Sequence, residues 1–347
     1  MSRHTVAVLG AGSWGSALAV HLGTIGHRVE LWARDRILAD TIGRTRVNDV
    51  YLPGIRIPDS VRVSSNISEA VAGATLVVSA IPSHGCRAVM QLAAPHVLAD
   101  ATVVSATKGL EPGTLLRMSE VIAQELGGRT VVALSGPSFA LEVARQLPTA
   151  VLAASLDERG IALVQTEFRA PYFRLYGSRD VVGVEIGGAM KNVIAIAAGV
   201  VEGLGLGHNA LAALITRGLA EVTRLACAAG GLRETTSGLS GLGDLVLTCT
   251  GDLSRNRHVG IELGRGRALD DILSSTRMVA EGVKTTKAAL TLGERYGIEL
   301  PIATQMAAVL DGRSDVQSAV EALMLRPQRA EIDAAHAGAA GGDSKMP

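Results

Sequence analysis

Residues 5–15 read Thr5-Val6-Ala7-Val8-Leu9-Gly10-Ala11-Gly12-Ser13-Trp14-Gly15. The apolar run Val6–Leu9 predicts a strand, and Ser16–Leu22 predicts a helix. Gly10, Gly12 and Gly15 form G-x-G-x-x-G between them. One glycine permits the tight turn, one lets the backbone approach a pyrophosphate, and one lets helix and strand pack closely. The helix start offers free N–H groups and a positive dipole end to phosphates. The motif alone is weak, but its strand–turn–helix setting favours a dinucleotide site over an unliganded glycine-rich turn.

Working outward, Val29–Trp32, Leu76–Ala80, Thr102–Ala106, Val131–Leu134 and Thr149–Ala154 also read as strands. Cys86–Ala94, Leu115–Leu126 and Glu158–Phe168 read as helices. Several strands are continuous apolar runs, which suits a parallel sheet covered on both faces. The alternation predicts a Rossmann-like, doubly wound α/β domain over residues 1–180. Near Asp180 the pattern changes. Ala189–Val201, Ala210–Ala229, Val259–Leu263 and Thr286–Tyr296 have helical periods separated by glycine-rich turns. Residues 181–330 are therefore expected to form an all-α domain. Residues 331–347 have little to bury and are expected to be a disordered tail.

Across 347 residues the hydrophobic share is 48% and the charged share 19%, which argues against disorder for the bulk of the chain. Lys plus Arg and Asp plus Glu both number 33, so no global field points to nucleic acid or an anionic membrane. Lys191, Glu202 and Arg217 are expected to break the most apolar region before the ~18 residues of a membrane helix. Glycines interrupt the only stretch that mimics a secretory leader. Cys86, Cys227 and Cys249 have no CxxC spacing, which argues against a disulfide framework or a metal site. The expected location is cytoplasmic.

The second strand exits through Ala33-Arg34-Asp35. Glu30 lies inside the strand, so the carboxylate that would hold an NAD ribose is missing at its end. Arg34 there suits the 2′-phosphate of NADP, although a solvated Arg34 beside Asp35 would leave NAD in use. Lys108 follows a strand, where open α/β sheets bind ligands, but an exposed loop lysine would read the same. Ser135-Gly136-Pro137-Ser138 follows the next strand; Ser138 is expected to cap the helix that follows, and backbone N–H groups lining a cleft are a functional reading compatible with that cap. Lys191 stands in an apolar helix, so it either faces a cleft with a lowered pKa or snorkels to the surface. Gly241-Leu242-Gly243-Asp244 and Ser254-Arg255-Asn256 form a third cluster; a helix starting at Ser254 is a phosphate cradle or a plain capped helix. Cys249 has no nearby histidine and reads as a small buried residue, not a nucleophile.

Taken together these motifs resemble the bacterial type of NAD(P)-dependent glycerol-3-phosphate dehydrogenase. The likeness runs from about Val6 to Leu325 and adds Val279-Ala280-Glu281-Gly282. It implies a 6-phosphogluconate-dehydrogenase-like arrangement of the two domains. It implies that Gly10, Gly12, Ser13, Trp14, Gly15, Arg34, Tyr51, Lys108, Ala140, Arg255, Val279 and Glu281 contact NADPH or NADH. It implies that Lys108, Gly136, Ser138, Lys191, Asp244, Ser254, Arg255 and Asn256 surround glycerol 3-phosphate, with Lys191 as the proton acceptor. Further implications are a homodimer and a product used for glycerophospholipid synthesis. The rivals are a hydroxy-acid or sugar-acid dehydrogenase of the same architecture, and a redox sensor that turns nothing over.

Overall fold

The computed structural model describes residues 4–275, 280–328 and 330–331. Its strands are β1 Thr5–Leu9, β2 Arg28–Trp32, β3 Val47–Asn48, β4 Leu52–Arg56, β5 Val61–Ser64, β6 Leu76–Ser79, β7 Thr102–Ser105, β8 Val131–Ser135, β9 Thr149–Ala154 and β10 Phe173–Ser178. Eight of them form one sheet in the order β10-β9-β8-β7-β6-β1-β2-β5, and β3 and β4 pair separately. From β5 to β8 every pairing is parallel. The chain winds outward in both directions from β1 and β6, so a switch point opens at their carboxyl ends. All four residues of β6 and of β7 are buried, as a sheet covered on both faces requires.

Two expectations about the sheet need correction. It is not wholly parallel, because β8 and β9 pair antiparallel. The helix between them has five residues and packs beside Ala17 and Trp14 instead of carrying the chain back along the sheet. The strands at the two edges, β5 and β10, were not foreseen. Their sequences, Val-Arg-Val-Ser and Phe-Arg-Leu-Tyr-Gly-Ser, alternate because only one face is covered, and continuous apolar runs do not find them.

The helices around the sheet are α1 Ser13–Thr24, α2 Arg36–Thr45, α3 Ile67–Val71, α4 Cys86–Ala93, α5 Met118–Leu126, α6 Ala140–Ala144 and α7 Glu158–Glu167. The helix expected from Leu115 begins at Met118. Leu115 has φ 63°, and the Glu120 carboxylate accepts the Arg117 N–H at 2.9 Å, which fixes the start. The second half holds α8 Val181–Gly203, α9 Gly207–Ala228, α10 Arg233–Thr236, α11 Asp244–Thr250, α12 Arg255–Gly264, α13 Leu269–Ser274, α14 Glu281–Tyr296, α15 Pro301–Leu310 and α16 Val316–Met324. The expected tail lies outside the described residues apart from Glu331.

Helix α8 is the axis of the second half. Asp180 caps it, accepting the Gly183 N–H at 2.8 Å, and its other oxygen accepts the Leu232 N–H at 2.8 Å. The 23-residue helix is long and apolar enough to cross a membrane, so its charged residues do not interrupt it as expected. It is instead the core of the helical layer, packed by α9, α11, α12 and α14. Glycines set the closest of these contacts. A Cβ at Gly199 would lie 2.0 Å from the Arg257 carbonyl, and one at Gly260 would lie 1.9 Å from the Ile196 carbonyl. Gly203 and Gly264 meet one turn further on, so α8 and α12 run parallel and the first turn of α12 lies beside Asn192.

Candidate active site

The glycine loop sits at the switch point. Gly10 has φ +112°, and a Cβ there would lie 2.7 Å from the Ala80 carbonyl. At Gly15 a Cβ would lie 1.8 Å from the Gly10 carbonyl, so only glycine lets α1 close onto the turn. Gly12 differs, because a Cβ would meet nothing within 4 Å. It is the N-cap of α1 and brings no side-chain cap to that helix start, where the dipole favours an anion. The buried Trp14 Nε1–H also has no hydrogen-bond partner among the described residues. These features fit a dinucleotide. Asn48, which sequence reasoning missed, ties the β3–β4 turn to the loop. It donates to the Ala11 carbonyl at 2.9 Å and to Ser16 Oγ at 2.8 Å, and accepts the Tyr51 N–H at 3.2 Å. Tyr51 thereby stands beside the loop. Arg34 is exposed past β2. Asp35 is committed to capping α2, accepting from Ile37 N–H at 2.8 Å and Leu38 N–H at 3.2 Å.

Three charges meet where the sheet faces α8. Lys108, just past β7, donates from Nζ to Asp244 Oδ2 at 2.7 Å and to the Gly136 carbonyl at 3.3 Å. Lys191 donates to the other oxygen of Asp244 and to Thr248 Oγ1 at 3.0 Å. Asp244 begins α11, so Thr248 stands one turn below it, and its hydroxyl donates to the Asp244 carbonyl. Thr248 is a residue the sequence reading passed over, although its i+4 spacing from Asp244 was visible.

Burial decides the electrostatics. It brings the Lys191 ammonium down from the usual lysine range to about 7, with the charge of Lys108 adding and that of Asp244 opposing. Burial would raise the Asp244 carboxyl, but the two lysines outweigh it and hold it below the usual range. The snorkelling alternative for Lys191 is excluded, since the residue is 7% exposed. Burial pushes the Cys249 thiol up to about 12, which agrees with an inert side chain.

The third cluster completes the cleft. Ser254 caps α12, accepting the Arg257 N–H at 3.2 Å. Asn256 donates to Asn192 Oδ1 at 3.0 Å and accepts the Gly282 N–H at 2.9 Å, joining α12, α8 and α14 next to Lys191. Arg255 is exposed at the mouth. Glu281 accepts from Ser83 Oγ at 2.9 Å, across the boundary between the two halves of the chain. Ala140 packs beside Trp14. Ser138 corrects an expectation, because it caps no helix; its hydroxyl donates to the Gly136 carbonyl at 3.0 Å, and α6 starts two residues later, with Phe139 at its N-cap and no side-chain cap. Val279 lies outside the described residues.

This arrangement matches known proteins over most of its length. Residues 5–160 match the model of the NAD-dependent glycerol-3-phosphate dehydrogenase N-terminus, and residues 180–321 match that of its C-terminus. The chain belongs to this family. It is 53% identical over 337 residues to the glycerol-3-phosphate dehydrogenase (NAD(P)+) of Koribacter versatilis, covering 96% of this chain and 99% of that one. The counterpart from Syntrophotalea carbinolica is 52% identical over 331 residues, covering 94% and 99%. The crystal structure of glycerol-3-phosphate dehydrogenase from Coxiella burnetii superposes with a TM-score of 0.91 at 40% identity, covering 93% of this chain and 99% of that one. Like the family, the chain is an NAD(P)-dependent oxidoreductase acting on a CH–OH group.

Proposed function

We propose that this chain interconverts dihydroxyacetone phosphate and sn-glycerol 3-phosphate, with residues 1–180 holding NAD(P)H and residues 181–330 holding the substrate. The observation that carries this reading is the Lys108–Asp244–Lys191 group, set between the glycine-loop domain and the helical layer that also holds the Ser254-capped start of α12. When bound, the nicotinamide cofactor supplies the hydride for C2. Lys191, as ammonium, donates a proton to the oxygen that develops negative charge there; as a neutral amine it takes the proton from the C2 hydroxyl in the reverse direction. Asp244 aligns Lys191 with one oxygen and Lys108 with the other. Lys108 and Asp244 orient the substrate hydroxyls, and the two ammonium groups stabilise the alkoxide before the proton moves.

Arg255, the Ser254 hydroxyl and the open N–H groups of α12 hold the phosphate. Asn256 spends one amide hydrogen on Asn192 and offers the other. Gly136 and Ser138 close the cleft behind Lys108. Gly10, Gly12, Gly15, Ser13 and Trp14 cradle the pyrophosphate, while Arg34, Tyr51, Ala140 and Glu281 surround the rest of the cofactor. The product suits glycerophospholipid synthesis. We further infer a cytoplasmic homodimer; recovery of the activity in washed membranes would count against that location.

The deciding assay follows absorbance at 340 nm with purified protein, dihydroxyacetone phosphate, and NADPH or NADH in parallel. Rapid oxidation that disappears when unphosphorylated dihydroxyacetone replaces the substrate is the expected result. Cofactor binding without oxidation, or equal turnover of a phosphate-free hydroxy acid, would overturn the proposal.

A further inference from the structure

The sheet comes apart beside Lys108. β7 and β8 pair in parallel as far as Ser105 and Ala133. Beyond that point the chain leaving β7 leans the other way. The Ala106 N–H donates to the Ser79 carbonyl at 2.8 Å, and the Thr107 hydroxyl lies 3.1 Å from that of Ser79, on β6. β8 meanwhile runs on to Ser135, against Leu152 of β9. The parting leaves a small cavity of about 10 Å³, bordered by Ser105, Lys108, Ser135, Val184, Glu185 and Gly188. That is about the smallest volume that admits one water molecule. Ser105 is level with Ala133, and Ser135 stands two residues further, so both serines face the side of the sheet on which Val184 of α8 packs. They are 1% and 5% exposed, and neither hydroxyl has a hydrogen-bond partner among the described residues. Buried hydroxyls are seldom left unpaired, so two of them on one polar cavity point to a shared ligand. Glu185 is committed elsewhere. One of its oxygens accepts the Ser119 N–H at 2.8 Å, and the other accepts from Arg117 at 2.9 Å and from the Ser119 hydroxyl. Gly188 keeps the room, because a Cβ there would lie 3.0 Å from Ser135 Oγ and 3.8 Å from Lys108 Cγ.

We propose that Ser105 and Ser135 bind one water molecule in this gap and, through it, act as positioning residues for Lys108. The inference rests on the reading of Lys108 as a group that orients the substrate. A water can donate to one hydroxyl and accept from the other, so both are satisfied at once. It takes over where the β7–β8 ladder ends and ties the two strand ends together. That fixes Lys108, which leaves β7, against the Gly136 carbonyl past β8, to which Nζ donates at 3.3 Å. Held there, Nζ reaches Asp244 Oδ2 at 2.7 Å. Lys191 reports on this placement. The charges that act on it are Asp244 of α11, which raises its pKa, and Lys108, which lowers it. Cys249, also on α11, stays a neutral thiol. A Lys108 that drifts away takes its repelling charge with it, and Lys191 should then titrate at higher pH.

Crystal structures of the full chain and of its Ser105→Ala/Ser135→Ala double variant test this without turnover. The wild type is expected to show one water about 3 Å from both hydroxyls. In the variant the water should be gone and Lys108 Nζ withdrawn from Asp244. No water between the serines, or a Lys108 that keeps its place without it, would overturn the proposal. Turnover gives a second readout. The variant should lose about tenfold in kcat/KM for dihydroxyacetone phosphate, and the alkaline fall of its reduction profile should move to higher pH. In a Lys108→Ala background the same two substitutions should change kcat/KM by less than about twofold, since they act through that lysine. Full additivity would make the serines merely structural and overturn the positioning role. Where the double variant folds poorly, Ser135→Ala alone should act in the same direction, and an unshifted profile there would count against the proposal equally. The outcome is separable from the proposed reaction. A wild type that holds the water and leaves dihydroxyacetone phosphate unreduced would refute the activity and keep the site.

Discussion

Lys191 is a lysine whose ordinary charge state has been put in question by where it sits. A buried ammonium is costly unless paired, and here one carboxylate serves two ammonium groups. The result is a lysine whose pKa falls to about 7, which suits the proton transfer proposed for it. The sign of the pH dependence follows. Reduction of the ketone needs the ammonium, so its rate should fall as pH rises through that value; oxidation of the alcohol needs the neutral amine and should rise. Parallel profiles for the two directions that bend the same way would contradict the assignment. Lys191→Ala should lower turnover by about 10²–10⁴ while NADPH still binds in a fluorescence titration. Turnover near wild type would show that another group moves the proton. The sequence revealed Lys191 as a lysine out of place, but its partner stands 53 residues away, and no local pattern links the two.

Helix pairs set the tolerances within which such residues meet. The contact between α8 and α12 is backbone against backbone at Gly199 and Gly260, and it carries Ser254–Asn256 to the level of Lys191. Gly260→Ala should destabilise the fold by about 3 kcal/mol, the upper part of the range for overpacked sites, since the new methyl group would meet a carbonyl and not a flexible side chain. Urea unfolding would measure it, and a loss below about 0.5 kcal/mol would mean that the helices separate easily. Helix α1 offers a second test. His21 is 1% exposed, shares a hydrogen bond with Tyr172 Oη at 3.0 Å and lies 2.8 Å from the Phe168 carbonyl, and burial lowers its pKa to about 4. The unfolded chain therefore binds a proton that the folded one refuses between the ordinary histidine value and about pH 4. Stability is complete above the ordinary value and is lost as pH falls toward 4, by up to about 3 kcal/mol for this residue. In His21→Gln that part of the acid sensitivity should vanish from unfolding curves taken at stepped pH. An unchanged slope would show that other groups carry it.

At the scale of the whole molecule, the site exists only because two differently built halves face each other. Lys108 belongs to the sheet, Lys191 and Asp244 to the helical layer, and Ser83 and Glu281 repeat the junction through a second hydrogen bond. Light scattering should give twice the mass of one chain; the mass of a single chain would rule out the homodimer. Much of this was written locally in the sequence. The glycine loop, the central parallel strands and the switch to helices at Asp180 follow from residue periodicity, turn chemistry and burial on both faces, all of which act over a few residues. The resemblance to a known family then supplied roles that no local pattern contains, such as that of Glu281. What the sequence alone left open was decided by packing: the antiparallel turn into β9, the edge strands with one covered face, the start of α5, the release of Ser138 from capping, and Lys191 pointing inward and not snorkelling. Each depends on which surface a segment meets, and that is settled by groups tens or hundreds of residues distant. The α8 segment is the clearest case. By composition it could lie in a membrane, and it is a protein core because four other helices bury it first.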